Sequence, residues 1–293
     1  MSFSLYIAKR YIFSNSKNNA INIINRIASM AIIVGSMALF VVLSVFSGLK
    51  VFSLSFSDAI DPDLKISSTL GKSFYISKLQ ENQIKEIEGV ASFSKIIEER
   101  VLFTFNGKQM VTHLKGVDAK YNNVSEIKKN IFNGQWLKKD TYQVVIGYGI
   151  ATNFSMGLFD FNTPFEVLAP KPGKGIIENP EDAFTKLVLI PVGIYTINED
   201  LDSKYVFSDL GLAQELLEYE PNQISGIELK LKKGADETFV INSLKSAFDS
   251  KVTIKNRAQL NESLYKMLNT ENAALYSLCT LVIILLVFTL GGS

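Results

Sequence analysis

Two long apolar runs lie near the ends of this chain, and a more polar region separates them. The first run, residues 27–49, contains 23 residues and no charged side chain. A helix of this length reaches about 34 Å at about 1.5 Å per residue, enough to cross a hydrocarbon core of about 30 Å. We therefore predict a transmembrane helix here. A cleaved signal peptide is the alternative, but its apolar region is about 7–15 residues long and precedes a small-residue cleavage site.

The second apolar run, residues 273–293, is also uncharged, and as a helix it reaches about 31 Å. It predicts a second transmembrane helix. The basic anchor that commonly marks a cytoplasmic end does not follow it. We therefore expect this span, and the sequence with it, to be truncated.

A stalk helix is predicted immediately before the second run, over residues about 257–272. Its apolar positions share one helical face, and no Gly or Pro interrupts the segment before the span. These positions are Leu260, Leu264, Met267 and Leu268. A continuous helix would transmit force rigidly from the extramembrane region into the bilayer.

The charge asymmetry around the first run predicts the orientation of the chain. Residues 1–26 contain four basic side chains and no acidic one. The positive-inside rule therefore places this segment in the cytoplasm and residues 50–272 across the membrane. Within the segment, apolar residues recur at helical spacing around Lys9 and Arg10. This pattern suits an amphipathic helix in the headgroup layer, or equally a plain anchoring flank.

A stripe of small residues runs along the first predicted span at spacings of 3, 4 and 3. It consists of Ala28, Ala31, Gly35 and Ala38. Small side chains allow a second helix to approach closely in lipid, although they are common in membrane helices generally. The stripe suggests a helix-packing face.

The extramembrane region alternates between strand and helix patterns and predicts an α+β fold. Its clearest element is a hairpin around Asn106-Gly107, a pair that accepts the positive φ angles of a tight turn. Turn-forming residues gather near 121–124 and 221–225. They predict a two-lobed mixed α/β domain in which the first and last segments pair and residues about 122–224 form an inserted lobe.

Composition argues against several functional classes. The 30 basic and 29 acidic residues give a net charge of +1, and the 26 basic and 29 acidic residues of 50–272 give no basic excess for a nucleic-acid surface. Cys279 is the single cysteine and His113 the single histidine. Disulfides within the chain, a histidine metal cluster and a catalytic triad are therefore excluded. We predict no catalytic residue, no metal site and no cofactor.

A long loop between two predicted strands, residues 169–187, is a candidate docking arm. Loops of this length in compact domains are either functional or mobile insertions. The candidate partner-binding residues are Pro170, Pro172, Ile176, Ile177, Pro180 and Phe184.

Several segments together resemble a known family. They are "IAKRYIFS", "VVLSVFSGLK", "HLKGVD", "VVIGYGIATNFSMGLFDF", "GIYTINEDLDSKYVFSDLGLAQELL", "SGIELKLKKG" and "ENAALYSLCTLVIILLVF". In order and spacing the chain resembles the permease subunits of bacterial lipoprotein-releasing ABC transporters, the LolC/LolE family. Members have four spans, so the resemblance covers the N-terminal part only.

The resemblance implies an inner-membrane permease without its own catalytic site, working with a cytoplasmic ATPase subunit and a second permease chain, in a homo- or heterodimer. It implies a lipoprotein substrate and a periplasmic lipoprotein chaperone. Residues 170–184 lie where the family has the loop that captures the chaperone, and the match is one of location only. A lipoprotein held between the spans would contact a cavity face, for which Met37, Phe40, Val41 and Ser44 are candidates.

Other functional classes remain open at this level. A two-span sensor with a periplasmic ligand-binding domain fits the same topology and predicts a cytoplasmic signalling domain after residue 293. A two-span regulator of polysaccharide length would favour a long extramembrane coiled coil, which the alternating strands do not supply. A periplasmic enzyme is the least favoured class, because no nucleophile or ligand cluster occurs.

Overall fold

The computed structural model describes residues 3, 6–7, 10, 19–158, 163–171, 183–248 and 251–291. The chain divides into two compact units. One unit contains residues 1–53 and 262–293, and the other, which we call the core domain, contains residues 54–261.

Two long helices make up most of the described part of the first unit. Helix α1 spans Asn19–Ile60 and helix α8 spans Glu262–Gly291. Within them, Ser29–Phe52 and Glu262–Ile284 are long and apolar enough to cross a membrane. Helix α1 is longer than the predicted span at both ends. It stops at Ile60 because Asp61 precedes Pro62, and a residue before proline is disfavoured in the helical region.

The predicted stalk helix is interrupted. Residues Arg257–Leu260 form a separate short helix, α7, and α8 begins only after Asn261, whose φ of −109° and ψ of 38° leave the helical region. The Asn261 side chain donates hydrogen bonds to Asp61 Oδ2 and to the Arg257 carbonyl. Because such side-chain bonds compete with helical geometry, a break occurs without Gly or Pro, and the prediction of one continuous helix over 257–272 was wrong at this residue.

The described residues of the core domain form twelve strands. In chain order they are β1 Leu64–Ser68, β2 Phe74–Tyr75, β3 Val90–Phe105, β4 Lys108–Val117, β5 Ile131–Gly134, β6 Gln143–Gly147, β7 Phe165–Pro170, β8 Phe184–Tyr195, β9 Tyr205–Asp209, β10 Gln223–Ile224, β11 Gly226–Leu231 and β12 Val252–Asn256. Ten form one sheet, in the order β12-β1-β11-β3-β4-β9-β6-β8-β5, with β7 pairing with β3 and β8. Strands β2 and β10 form a separate pair.

Short helices connect these strands. They are α2 Lys78–Glu86, α3 Tyr148–Phe154, α4 Glu199–Asp202, α5 Leu210–Leu217 and α6 Glu237–Ala247, together with 3₁₀ turns at Tyr121–Asn123 and Ile127–Asn130. Helix α2 begins with a capping box in which Ser77 and Gln80 exchange hydrogen bonds. Its apolar residues are only partly buried: Ile84 is inaccessible to solvent, whereas Leu79 is 66% exposed.

The predicted hairpin is present between β3 and β4. Phe105 pairs with Lys108, and the two turn residues between them have positive φ angles of 48° at Asn106 and 75° at Gly107. An Asn-Gly pair accepts these angles with little strain, which explains why the sequence alone located the turn.

Strand β1 pairs with β11 on one side and with β12 on the other, so the first and last segments of the core domain are neighbours. Residues about 122–224, predicted as an inserted lobe, supply β5 to β9, and these strands continue the same sheet. Three apolar clusters pack against it. The first lies around β3, β6 to β9, α3 and α5, the second around β1, β11, α2 and α6, and the third includes Ile60 and the segment after β4.

Candidate functional site

The core domain receives α1 and leads into α8 at one edge of its sheet. Strand β1 begins four residues after α1 ends, and β12 ends directly before α7. Because β1 and β12 are antiparallel, the start of one pairs with the end of the other: Leu64 is opposite Asn256. The point where the chain enters the domain and the point where it leaves are therefore adjacent.

Four polar side chains connect these two points, and we call them the junction cluster: Asp61, Asp63, Arg257 and Asn261. Arg257 Nη2 lies 2.8 Å from Asp63 Oδ1 and donates to the Asp61 carbonyl at 3.2 Å. Asn261 Nδ2 donates to Asp61 Oδ2 at 2.7 Å. The side chains of Arg257 and Asp63 are 21% and 24% exposed, so their ion pair is partly shielded from water.

Local geometry positions each member of the junction cluster. Asp63 is fixed by its other carboxylate oxygen, which accepts a hydrogen bond from the Leu231 amide at 2.8 Å. Arg257 is the first residue of α7, whose start is held by a capping box between Asn256 and Gln259. Ile60, directly before the cluster, is 1% exposed and packs in the third apolar cluster. The domain end of α1 is therefore held by both apolar and polar contacts.

A second polar group lies across the neighbouring strands β1, β11, β3 and β4, and we call it the charge row: Lys65, Glu228, Glu98 and Lys115. Lys115 Nζ lies 2.8 Å from Glu228 Oε1, with both side chains almost completely buried. Lys65 Nζ lies 2.5 Å from Glu98 Oε2 and 3.9 Å from Glu228 Oε1. Tyr205 donates a hydrogen bond to Glu98 Oε1 at 3.1 Å.

The charge row shifts the acid–base properties of its members. Burial would raise the pKa of Glu98, but attraction to Lys65 and Lys115 outweighs it and lowers the pKa to about 2. Burial would likewise lower the pKa of Lys115, yet the adjacent Glu228 carboxylate raises it well above its ordinary value. Glu98 and Lys115 are therefore held in their charged forms, which suits mutual neutralisation and not proton transfer.

Neither polar group resembles a catalytic or metal centre. Within the described ranges, no cluster of three or more His, Cys, Asp or Glu side chains could hold a metal ion. His113, whose ring lies 5.9 Å from that of Tyr205, has a pKa lowered mainly by burial. Neither the junction cluster nor the charge row was predicted from the sequence. Strands β4 and β11 contain other polar or charged residues, so Lys115 and Glu228 gave no distinct sequence signal.

The candidate docking arm lies at the end of the β7–β8 hairpin. Pro170 is the last residue of β7 and pairs with Phe184, the first residue of β8, which is 40% exposed. The Lys171 amide donates to the Ala183 carbonyl at 2.9 Å and extends the ladder by one step. Pro172, Ile176, Ile177 and Pro180 lie outside the described residues.

The candidate residues of the first span lie within helix α1. Met37, Phe40 and Val41 are 63%, 74% and 52% exposed. Ser44 and the stripe members Ala31 and Ala38 are also exposed, Gly35 is partly so, and the side chain of Ala28 is outside the description. Their assignments as cavity and helix-packing residues stay predictions.

Residues 27–247 match the family model described as the MacB-like periplasmic core domain. The chain belongs to this family. The match takes in the first candidate span and most of the core domain up to α6.

A curated relative of this MacB-like chain is the lipoprotein-releasing system transmembrane protein LolE of Haemophilus influenzae. It is 28% identical over 251 residues, a match covering 79% of this chain and 55% of the relative. The chain thus spans about half the length of the relative that it matches.

Solved structures similar to the periplasmic core domain include the periplasmic region of MacB from Actinobacillus actinomycetemcomitans, with 14% identity and a TM-score of 0.48, covering 71% of this chain and 94% of that one. The extracellular domain of the noncanonic ABC-type transporter YknZ from Gram-positive bacteria has 10% identity and a TM-score of 0.42, covering 66% and 99%.

Proposed function

We propose that the chain is a permease subunit of a bacterial inner-membrane ABC transporter that extracts lipoproteins and passes them to a periplasmic chaperone. The observation that carries this proposal is the MacB-like periplasmic core domain over residues 27–247, in a chain that is also similar to LolE. The two candidate spans on either side of the core domain support it, since they provide the membrane attachment that a permease needs.

In this proposal the role of the permease is mechanical, and ATP hydrolysis takes place in a separate cytoplasmic subunit. The N-terminal segment faces the cytoplasm, in agreement with its four basic residues, and the core domain faces the periplasm. A second permease chain completes the membrane cavity. The small-residue stripe of α1 is the proposed packing face, and Met37, Phe40, Val41 and Ser44 are the proposed contacts for acyl chains.

The β7–β8 hairpin end is the proposed contact for the lipoprotein chaperone. Its position supports the assignment, because Pro170 and Phe184 close a hairpin whose base is fixed within the central sheet. Side chains presented from such a base can reach a partner without disturbing the rest of the domain.

Copurification tests the proposed function directly. The full-length gene product, expressed with its ATPase subunit, should copurify with it in mild detergent and release lipoprotein from proteoliposomes only when ATP and the chaperone are present. Of two reporters fused near residue 150, one active only in the periplasm should give a signal and one active only in the cytoplasm should not. Failure to bind any ATPase subunit, or a signal from the cytoplasmic reporter, would refute the proposal. A signalling domain after residue 293 in the full-length gene product would instead favour a receptor.

A further inference from the structure

The junction cluster joins two parts of the chain that are about 200 residues apart in sequence. Asp61 follows the last residue of α1, and Asn261 precedes the first residue of α8. Their side chains are in direct contact, with Asn261 Nδ2 2.7 Å from Asp61 Oδ2. Both residues belong to the core domain. The contact therefore fixes, within one compact unit, the two points at which the candidate spans attach.

Arg257 is the central member of the junction cluster. Its guanidinium bonds to the Asp63 carboxylate and to the Asp61 carbonyl through the same nitrogen, Nη2. It thereby holds two positions of the segment that follows α1. A guanidinium is suited to this role because it is planar and always charged, so the N–H groups of Nη2 point in fixed directions, whereas a lysine ammonium is a single point on a flexible stem. Loss of Arg257 would free the entry segment from the exit segment.

The helix break at Asn261 makes this connection mechanically relevant. A break between α7 and α8 could act as a hinge, and motion of α8 would then be absorbed there. Asn261 instead bonds to the Arg257 carbonyl behind it and to Asp61 beside it. Asn261, the residue immediately before α8, is thus tied to the segment that follows α1.

We propose that the junction cluster is a clasp that makes the domain ends of the two candidate spans move together, and that Arg257 is its positioning residue. This inference rests on the proposed transport function. With the clasp closed, displacement of either membrane helix is passed to the sheet through β1 and β12 together. With the clasp open, the domain ends of the two helices are no longer held to each other, and ATP hydrolysis drives release less effectively.

The test compares lipoprotein release with ATP hydrolysis in the assembled transporter in proteoliposomes. Arg257→Gln should lower lipoprotein released per ATP hydrolysed by about tenfold, the effect of losing one charge-assisted hydrogen bond, and should change ATP hydrolysis less than about twofold. Arg257→Lys keeps the charge and should fall between wild type and Arg257→Gln. Lys95→Gln is the matched control, since it removes a 2.8 Å ion pair with Glu81 of similar exposure, outside the junction cluster and the docking arm, and should leave the ratio unchanged.

A double variant separates coupling from general destabilisation. Asp63→Asn keeps an acceptor for the Leu231 amide but removes the charge that Arg257 binds. Combined with Arg257→Gln, it should lower the release ratio no further than Arg257→Gln does alone, because both changes open the same clasp.

The outcomes distinguish the clasp from the proposed function. If the wild-type complex neither binds an ATPase subunit nor releases lipoprotein, the proposed function fails. If wild type is active and Arg257→Gln has the wild-type release ratio, the clasp inference is overturned. Equal losses of ATP hydrolysis and release would also overturn it, because they indicate a structural defect without uncoupling.

Discussion

Lys115 on β4 and Glu228 on β11 form an ion pair across the intervening strand β3, with 2.8 Å between Nζ and Oε1 and side-chain exposures of 2% and 1%. The two residues are 113 positions apart in sequence. The pair joins the two regions of the sheet that lie on either side of β3. Lys115 Nζ also lies 5.2 Å from the ring centroid of Tyr121 and 5.3 Å from that of Tyr205.

Breaking this buried pair should destabilise the core domain strongly. Lys115→Met leaves the Glu228 carboxylate buried without its main partner, a change that costs about 3–5 kcal/mol in other proteins and lowers the Tm of a domain this size by about 6–20 °C. The measurement is thermal unfolding of the purified chain in detergent, followed by near-ultraviolet circular dichroism.

Lys72→Met is the matched control for this variant. Lys72 lies 2.7 Å from Glu99 but is 75% exposed, and an exposed pair contributes about 1 kcal/mol or less. Adding Glu228→Leu to Lys115→Met should recover part of the lost stability, because the isolated buried charge is then gone. Similar Tm values for Lys115→Met and Lys72→Met would contradict the structural role of the buried pair.

The stability of the core domain should depend on the ionisation of Glu98. The pKa of this carboxyl falls from its ordinary 4.5 to about 2 in the folded domain. Its stabilising contribution is therefore complete above about pH 4.5 and is lost as the pH falls towards 2. The expected result is that Glu98→Gln is less stable than wild type at pH 6 and that this difference shrinks by pH 2.5.

Urea unfolding midpoints of both proteins across this pH range provide the measurement. Glu81→Gln is a suitable control, since Glu81 pairs with Lys95 at 2.8 Å outside the charge row. If the difference in urea midpoint between wild type and Glu98→Gln stays constant from pH 6 to pH 2.5, Glu98 does not titrate with a lowered pKa.

Gly147 should not tolerate a side chain. It ends β6 immediately before α3, and a Cβ at this position would lie 2.0 Å from the Asp202 carbonyl oxygen. Asp202 cannot easily move away, because its carboxylate accepts hydrogen bonds from Thr196 Oγ1 and the Ile197 amide. Gly147→Ala should therefore destabilise the domain by about 1–3 kcal/mol.

Gly157→Ala is the control, since a Cβ at Gly157 meets no atom within 4 Å. The Tm values of the two variants, measured by thermal unfolding, should differ by several degrees. Equal Tm values would mean that the approach of α4 to the end of β6 is looser than the structure indicates.

The candidate docking arm leads to a prediction about chaperone binding that can be tested separately from binding of the ATPase subunit. Replacing residues 171–183 with a short Gly-Ser linker should abolish crosslinking to the periplasmic lipoprotein chaperone while the ATPase subunit still copurifies. The reason is that the exchanged segment lies between strands β7 and β8, whose terminal paired residues Pro170 and Phe184 are retained. The same exchange at residues 232–235 is the control, and undiminished crosslinking by the 171–183 variant would exclude a docking role.

Local elements of this fold were readable from sequence because their causes are local. The Asn106-Gly107 turn follows from the backbone preferences of two adjacent residues. The strands follow from runs of β-branched and apolar residues, and the long helix α1 follows from an uncharged run that can satisfy its backbone in lipid. The resemblance to lipoprotein-releasing permeases was likewise carried by short segments in order, and the family match supports it.

Most long-range relationships were not readable. The pairing of the first and last segments of the domain was expected, but no local pattern gives its register, with Leu64 opposite Asn256, or indicates that parallel strands β4 and β9 are neighbours. The break at Asn261 was missed for the same reason: the partner that holds its side chain, Asp61, is 200 residues away. Sequence periodicity indicates a helix, but it does not show which side chain will be drawn out of helical geometry by a distant acceptor.

The sequence by itself determined the two apolar helices, the α+β character of the region between them and the family to which the chain is similar, since each depends on neighbouring residues or on the order of short segments. Only the tertiary structure decided the sheet order, the buried pair of Lys115 and Glu228, and the junction of Asp61, Asp63, Arg257 and Asn261. The physical reason is that ion pairs and hydrogen bonds act over about 3 Å in space, whatever the separation of their partners along the chain.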